Sequence, residues 1–296
     1  MAKVLRSKVL GFCMGVKRAV DMAEEVLNEN EGKEVFMLGP LIHNEQALQA
    51  LYDKGLHLLS EEYIEERCNE KSIVIIRAHG TSPSILTRIE KTGARIVDTS
   101  CPRVKASQKR AASYSQDGFL VFIAGDLGHG EVLSISSYAG DKAIVFKDAE
   151  EAKTFFKTSE LFQKNPRAFD KAILISQTTI RKEEYDAIIA VLQKKLPQIE
   201  VFNTICSATK ERQLFLRELA HEVDGILVIG GRHSANTQRL LSLAQELSPH
   251  AALVEAVHEI PPEFFRLEKV GLTAGASTAN KSIDEVEQKL LEANTI

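Results

Sequence analysis

Three stretches of this chain put a cysteine in the same kind of place. "SKVLGFCMGVKRAV", "VDTSCPRVKASQKR" and "VFNTICSATKERQ" each read as a short apolar run, a cysteine and a basic helix start, and they carry Cys13, Cys101 and Cys206. A free cysteine is often a small core hydrophobe. Three in matching contexts, in a chain with 4 cysteines, read as ligands instead. Three thiolates suit a zinc ion with one further ligand, or an iron–sulfur cluster. Zinc sites usually draw two cysteines from one short CxxC segment, and none occurs here. A four-iron cube is wider and accepts ligands from distant segments. Three protein ligands would leave one of its irons open, able to bind a substrate as a Lewis acid and to pass it electrons. Cys68, in "EERCNEKS", lacks this context and is expected in a core.

Other reactive side chains follow apolar runs in the same way. His43 lies in "GPLIHNEQ", His79 in "RAHGTS", and His129 and Glu131 in "GDLGHGEV". In open α/β sheets ligands bind beyond the carboxyl ends of the strands, which is where these loops belong. Three imidazoles converging there suit an anion such as a phosphate, to which each ring can donate a hydrogen bond. His233 is a weaker fourth, and His57, His221, His250 and His258 have no such position. "GGRHSAN" and "AGASTAN" combine glycines, hydroxyls and an amide at helix starts, where free N–H groups favour anions. Ser234, Asn236 and Ser277 are their candidate contacts. Glu131 stands two residues beyond His129, and in an extended segment that spacing turns both to one side. A carboxyl group there can hand a proton to a leaving hydroxyl. Thr178, Thr179 and Thr209 are placed to hydrogen-bond the same group. No Walker A sequence and no complete GxGxxG after a strand point to a nucleotide.

The elements that must position these groups alternate along all 296 residues. Strand-like runs span Val35–Leu38, Ile73–Ile76, Arg95–Val97, Phe119–Ile123, Ala143–Phe146, Ala172–Ile175, Ile199–Phe202, Gly225–Ile229 and Val270–Thr273. Amphipathic helical stretches separate them. In "MGVKRAVDMAEEVLNEN", Val16, Ala19, Val20, Ala23 and Leu27 fall near one face, and Pro197 stops the helix of "RKEEYDAIIAVLQKKLP". Such βαβα order predicts an α/β chain of small, mostly parallel sheets covered by helices. The repeated cysteine motif predicts three similar units in a pseudo-threefold arrangement: 14–98, 99–203, and 204–282 with 1–13, followed by a C-terminal helix over 283–296. A hydrophobic content of 44% and 26% charged residues are those of a globular protein. The net charge of −4 argues against a general nucleic-acid surface. No apolar run reaches the ~18 residues of a membrane span, and the N-terminus lacks the pattern of a secretory signal. A cytoplasmic protein with reduced thiols is expected.

The motifs "GFCMGVKRAV", "LGPLIHN", "RAHGTSP", "DTSCPRV", "GHGEV", "SQTT", "NTICSATKERQ", "SANTQRL" and "TAGAST" together resemble those of the 4-hydroxy-3-methylbut-2-enyl diphosphate reductases, in order and over almost the whole chain. The resemblance implies three α/β units around a central [4Fe-4S] cluster held by Cys13, Cys101 and Cys206. It implies diphosphate contacts from His43, His79, His129, Ser234, Asn236 and Ser277, with Thr209 nearby. It gives Glu131 the role of proton donor and sets Thr178 on the hydroxyl side of the substrate. The implied reaction removes that hydroxyl reductively and yields isopentenyl and dimethylallyl diphosphate. No flavin or nicotinamide signature is present, so the electrons must come from a partner such as ferredoxin or flavodoxin. The basic stretch "RVKASQKR" is a candidate dock for it.

Two departures from the family pattern stand out. The family usually has Pro at the position of Gly130 and a second Ser at that of Ala235. A looser loop that aims Glu131 less firmly, and one lost hydroxyl worth about 1 kcal/mol, are the expected consequences. His233 or Arg232 would be the side chains to compensate. The segment "VLSISSYAG" also strays from the family's Gly-rich run. Rival readings of the same residues are a non-redox iron–sulfur lyase of the quinolinate synthase type, an iron–sulfur sensor or carrier, and a zinc hydrolase.

Overall fold

The computed structural model describes residues 3–30, 32–40 and 45–292. Twelve strands are present among them: β1 (Lys3–Arg6), β2 (Glu34–Leu38), β3 (Leu56–Leu59), β4 (Ser72–Ile76), β5 (Arg95–Asp98), β6 (Leu120–Ala124), β7 (Ala143–Phe146), β8 (Ala172–Ser176), β9 (Glu200–Val201), β10 (Gly225–Ile229), β11 (Ala251–Val254) and β12 (Lys269–Ala274). They form three four-stranded sheets, in the orders β1-β12-β10-β11, β3-β2-β4-β5 and β7-β6-β8-β9. The first and third sheets are parallel throughout, as are the β2–β4 and β4–β5 pairs. The expected α/β class is what the chain adopts.

The strands are parallel because a helix returns the chain between most of them, and they are apolar on both faces because helices cover both. The third sheet illustrates this. Phe122, Ala124 and Leu174 join Phe146, Phe156 and Phe169 in one core, while the alternate residues Val121, Ile123, Ile173 and Ile175 pack with Val132 and Ile135 in another. The sheet of β10 and β12 divides in the same way: Leu227, Ile229 and Leu272 pack with Ile283 and Val286, and Ile226 and Val228 with Leu216 and Leu243. Each fully buried Ile, Leu or Phe contributes about 1.5–3 kcal/mol over its exposed state.

The chain divides into two compact units. One comprises residues 1–31, 40–58 and 207–296, and the other 32–39 and 59–206. The first contains β1, β10, β11 and β12; the second contains β2, β4, β5 and the whole third sheet.

Most expected strands are present with ends shifted by a residue or two, and the run at Ile199–Phe202 contracts to the two residues of β9. The strands β3 and β11, and the position of β1 well before Cys13, were not foreseen. Each is only four residues long and half-exposed, so its hydrophobic alternation is weak. The first helix, Met14–Asn28, buries Gly15, Ala19, Ala23, Val26 and Leu27, whereas Val16 and Val20 are half-buried. The last helix runs Asn280–Glu292.

In the second unit a buried polar brace ties the loop after β4 to two helices. Gln108 Nε2 of the Pro102–Gln116 helix donates to Ser134 Oγ of the Gly130–Ala139 helix at 2.6 Å, and Ser134 Oγ donates to the Thr81 carbonyl at 3.2 Å. Gly80 lies under this brace at φ +75°, where a Cβ would come within 2.3 Å of Gln108 Nε2 and 2.9 Å of Ser134 Oγ. Gly80→Ala should therefore lower the unfolding free energy by about 1–3 kcal/mol, from left-handed strain and a displaced bond, as read by chemical denaturation.

Candidate active site

β6 and β8 pair in register to their last residues, Ala124 opposite Ser176, so the loops that leave them start side by side. The Gln177 N–H donates to the Ala124 carbonyl at 2.8 Å. Gln177 itself is fully buried; its Oε1 accepts from the Asp126 N–H at 3.0 Å and its Nε2 donates to Thr179 Oγ1 at 3.0 Å. One side chain thus fastens the "GDLGHGEV" loop to "SQTT".

That fastening brings Glu131 onto Thr178. Glu131 is 2% exposed. Its Oε1 accepts from the Thr178 N–H at 2.6 Å and its Oε2 from the Thr178 hydroxyl at 2.7 Å. The Thr178 carbonyl in turn accepts from the Cys206 N–H at 2.9 Å. Thr204 steadies the segment before Cys206: its Oγ1 accepts from the Ser176 N–H at 2.6 Å. Thr178 therefore links a buried carboxyl group to a cysteine brought back from beyond β9.

His129 and Glu131 do not share an extended segment, as the sequence spacing suggested. Glu131 is in the first turn of the Gly130–Ala139 helix, and His129 is its N-cap. His129 Nδ1 accepts from the Glu131 N–H at 3.2 Å. In the neutral ring this puts the proton on Nε2, which is left as a donor. The His79 ring meets His129 edge-on, with centroids 4.9 Å apart. Nor is Glu131 loosely aimed for want of a proline at position 130, since both of its oxygens are engaged. His43 lies outside the described residues.

Cys101 caps the Pro102–Gln116 helix, and its N–H donates to the Ala78 carbonyl at 2.9 Å, next to His79. It is half-buried, as are Cys13 and Cys206, whereas Cys68 is buried. Burial pushes the Cys68 thiol above its ordinary pKa. Cys68 packs with Phe36, Val74 and Ile89, as expected of a core residue.

The other unit gathers Cys13, Thr209, Ser234, Asn236 and Ser277. Cys13 is the N-cap of the Met14–Asn28 helix; its Sγ accepts from the Val16 N–H at 3.4 Å and its N–H donates to the Ala276 carbonyl at 2.9 Å, beside Ser277. A fully buried arginine that the sequence reading missed, Arg212, donates to the Gly11 carbonyl at 2.6 Å and so holds the approach to Cys13. β10 and β12 end in register, Ile229 opposite Ala274. The loops beyond them interlock: a Cβ on Gly275 would meet Thr237 Oγ1 at 2.1 Å, and the Thr278 hydroxyl donates to the Ile229 carbonyl at 2.9 Å. Ser234 caps the Ala235–Leu247 helix, its Oγ accepting from the Thr237 N–H at 3.4 Å. Asn236, 5% exposed, keeps a buried Nδ2 without a hydrogen-bond partner among the described residues. A buried amide donor left open costs about 1–3 kcal/mol unless an acceptor arrives. An anionic oxygen would satisfy it. Neither suggested compensator for Ala235 is placed for that work: Arg232 is paired with Glu255 at 3.4 Å and with Glu259, and His233 is exposed.

Among the described residues no group of three His, Cys, Asp or Glu side chains is arranged to hold a single metal ion. The three cysteines share one local setting. Each sits at a helix N-terminus, where backbone N–H groups can meet a cluster's sulfur atoms.

Comparison with known proteins places the chain in a family. The LytB protein family model matches residues 4–291. The chain belongs to the LytB family. A relative from Treponema denticola named 4-hydroxy-3-methylbut-2-enyl diphosphate reductase is 46% identical, covering 98% of this chain and 99% of its own length. A relative of the same name from Caldanaerobacter subterraneus subsp. tengcongensis is 36% identical over 97% of this chain and 96% of its own. A solved reductase described as the terminal enzyme of the non-mevalonate pathway is 34% identical with a TM-score of 0.69, covering 99% of this chain and 100% of that one. The Plasmodium falciparum reductase shares the fold at 24% identity, with a TM-score of 0.87 over 97% of this chain and 87% of that one. The motif resemblance thus corresponds to family membership, and this LytB chain is an enzyme of the class its motifs suggested.

Two outcomes follow from the site geometry. Thr178→Val leaves Glu131 Oε2 buried without its hydroxyl donor, so urea denaturation should give a loss of about 1–3 kcal/mol, largely restored in Thr178→Ser. In the folded metal-free LytB protein a maleimide should label Cys13, Cys101 and Cys206 well before Cys68, as read by peptide mass spectrometry; equal rates at all four would contradict the assigned burial.

Proposed function

We propose that the protein is a 4-hydroxy-3-methylbut-2-enyl diphosphate reductase in which Cys13, Cys101 and Cys206 hold a [4Fe-4S] cluster. The observation that carries this reading is the Glu131–Thr178–Cys206 chain of hydrogen bonds, which ties a buried acid to the backbone of a proposed cluster ligand through one residue. Family membership and three half-buried thiols at helix starts support it. When bound, the cluster supplies electrons and a Lewis-acidic iron for the substrate's hydroxyl.

The chain's own residues do the rest. His79 and His129 donate to the diphosphate, joined by His43, and Ser234, Asn236 and Ser277 add short donors, with Thr209 close by. Asn236 Nδ2 gains the acceptor it lacks. Glu131 delivers a proton to the departing oxygen, and Thr178 fixes the face the carboxyl group presents. The C–O bond breaks, the oxygen leaves as water, and a second proton reaches one end of the allylic fragment or the other. Two electrons and two protons are consumed, and the products are isopentenyl or dimethylallyl diphosphate with water. Burial of Glu131 keeps bulk water from competing for its proton.

The electrons come from a ferredoxin or flavodoxin. The three-unit division at 14–98, 99–203 and 204–282 with 1–13 belongs to the same reading, supported by one four-stranded sheet in each. Among the described residues no helix is long and apolar enough to cross a membrane, and a cytoplasmic setting suits reduced thiols.

Anaerobic purification with iron and sulfide analysis, followed by the hydroxymethylbutenyl diphosphate with dithionite and a viologen, tests the proposal. Substrate should disappear only when reductant is present; loss without reductant would indicate a lyase instead. Glu131→Gln should keep its iron and sulfide yet lose about 10²–10⁴ in turnover, and full activity in that variant would remove Glu131 from the mechanism.

A further inference from the structure

Arg77 follows β4 directly, two residues before His79. Its guanidinium lies against two glycines of the same compact unit. A Cβ on Gly130 would come within 2.8 Å of Arg77 Nη2 and 3.0 Å of its Cζ, and one on Gly39 within 3.1 Å of Nη1. Gly130 separates His129 from Glu131, and Gly39 directly follows β2, four residues before His43 in the sequence. The cation therefore occupies the space that a side chain at position 130 would fill, against the backbone of the residue joining the capping imidazole to the buried acid.

Among the described residues one carboxylate acts on that charge. Arg77 is half-buried, and burial lowers its pKa from the ordinary arginine value, with Glu61 the carboxylate that acts in the other direction. Glu61 is exposed, and both oxygens of Glu131 already accept from Thr178. A guanidinium does not release its proton under these conditions, so what a half-buried one lacks is an anion.

We propose that Arg77 is a further substrate-binding residue, whose guanidinium supplies a fixed positive charge to the diphosphate held by His79 and His129, and that the bare Cα of Gly130 is what admits it. This rests on the assignment of the two histidines to a diphosphate made above. A fixed cation differs from the imidazoles in two ways. It keeps its charge at every pH at which the protein folds, and its planar fork matches phosphate oxygens.

The test uses inorganic diphosphate on the cluster-loaded protein, as an inhibitor and as a calorimetric ligand, in wild type and in Arg77→Gln, Arg77→Lys, Gly130→Ala and His129→Ala. Losing a charge-assisted contact should weaken diphosphate binding and raise the substrate KM by about tenfold in Arg77→Gln, with the effect concentrated in KM and Ki rather than in kcat. Arg77→Lys, which keeps the charge and loses the fork, should fall between wild type and Arg77→Gln. Gly130→Ala, whose methyl meets the guanidinium, should weaken binding, and combining it with Arg77→Gln should add little beyond Arg77→Gln alone. Unchanged diphosphate affinity in Arg77→Gln, or a fall in kcat with Ki unmoved, overturns the proposal. Should Arg77→Gln not fold, wild-type affinity in Gly130→Ala does the same. If His129→Ala weakens binding and Arg77→Gln does not, only Arg77 is misassigned; if wild type binds no diphosphate, the histidine assignment falls with it.

Discussion

A carboxyl group that is 2% exposed is tolerated only where its oxygens are hydrogen-bonded. Glu131 meets that condition through one residue, taking the N–H and the hydroxyl of Thr178 on its two oxygens. This arrangement requires two loops to be registered to within a fraction of an ångström. The parallel pairing of β6 with β8 provides the registration, because it runs to the last residue of both strands. Gln177 then carries it outward by bonding to both loops from a fully buried position. The apolar faces of the third sheet serve this end. They fix the strands, the strands fix the loop origins, and the loop origins fix one acid.

The other compact unit applies the same logic to an opposite result. β10 and β12 also end in register, and their loops interlock through Thr237 and Thr278 against glycines too crowded to carry a Cβ. Here the side chains are not all satisfied. Asn236 keeps a buried donor without a partner among the described residues. A site for an anion is expected to be under-accepted before the anion arrives, since its donors should not be spent on the protein. A site that positions an acid is expected to be complete beforehand, as the Glu131–Thr178 pair is.

Much of this was legible in the sequence because reactive residues at the carboxyl ends of parallel strands converge by topology alone. Cys101, Cys206, His79, His129 and Glu131 follow apolar runs that the structure makes into strands, or lie one short loop beyond them. What the sequence hid has physical reasons. The spacing of His129 and Glu131 fits an extended segment and a capped helix start equally well, and only the histidine's role as N-cap decides between them. The strands β3 and β11 are short and half-exposed, so they lack the apolar alternation that betrays a strand. Gly130 read as a loosened hinge because a glycine's neighbours cannot be seen in sequence; its Cβ position is filled by Arg77, from another strand end. The open amide of Asn236 is likewise a property of packing, not of composition.

A chain of net charge −4 is not an obvious binder of a diphosphate. Net charge, however, governs solubility and long-range steering, while affinity depends on the few groups that meet the ligand where water is scarce. A charge interaction at ~4 Å is worth about 1 kcal/mol in water and several times that at the lower effective dielectric of a protein surface or cleft. In the second unit the candidate donors are placed accordingly. Two imidazoles and a guanidinium cluster on the loops after β4 and β6, while the nearby carboxyl group of Glu131 has both oxygens turned to Thr178. The hydrogen bonds that make Glu131 tolerable as a buried acid also engage the carboxyl group that stands next to Gly130, the glycine Arg77 lies against. On this view the acid and the proposed diphosphate contacts meet on neighbouring loops of one unit. Thr178 serves the first directly, by taking both oxygens of the carboxyl group.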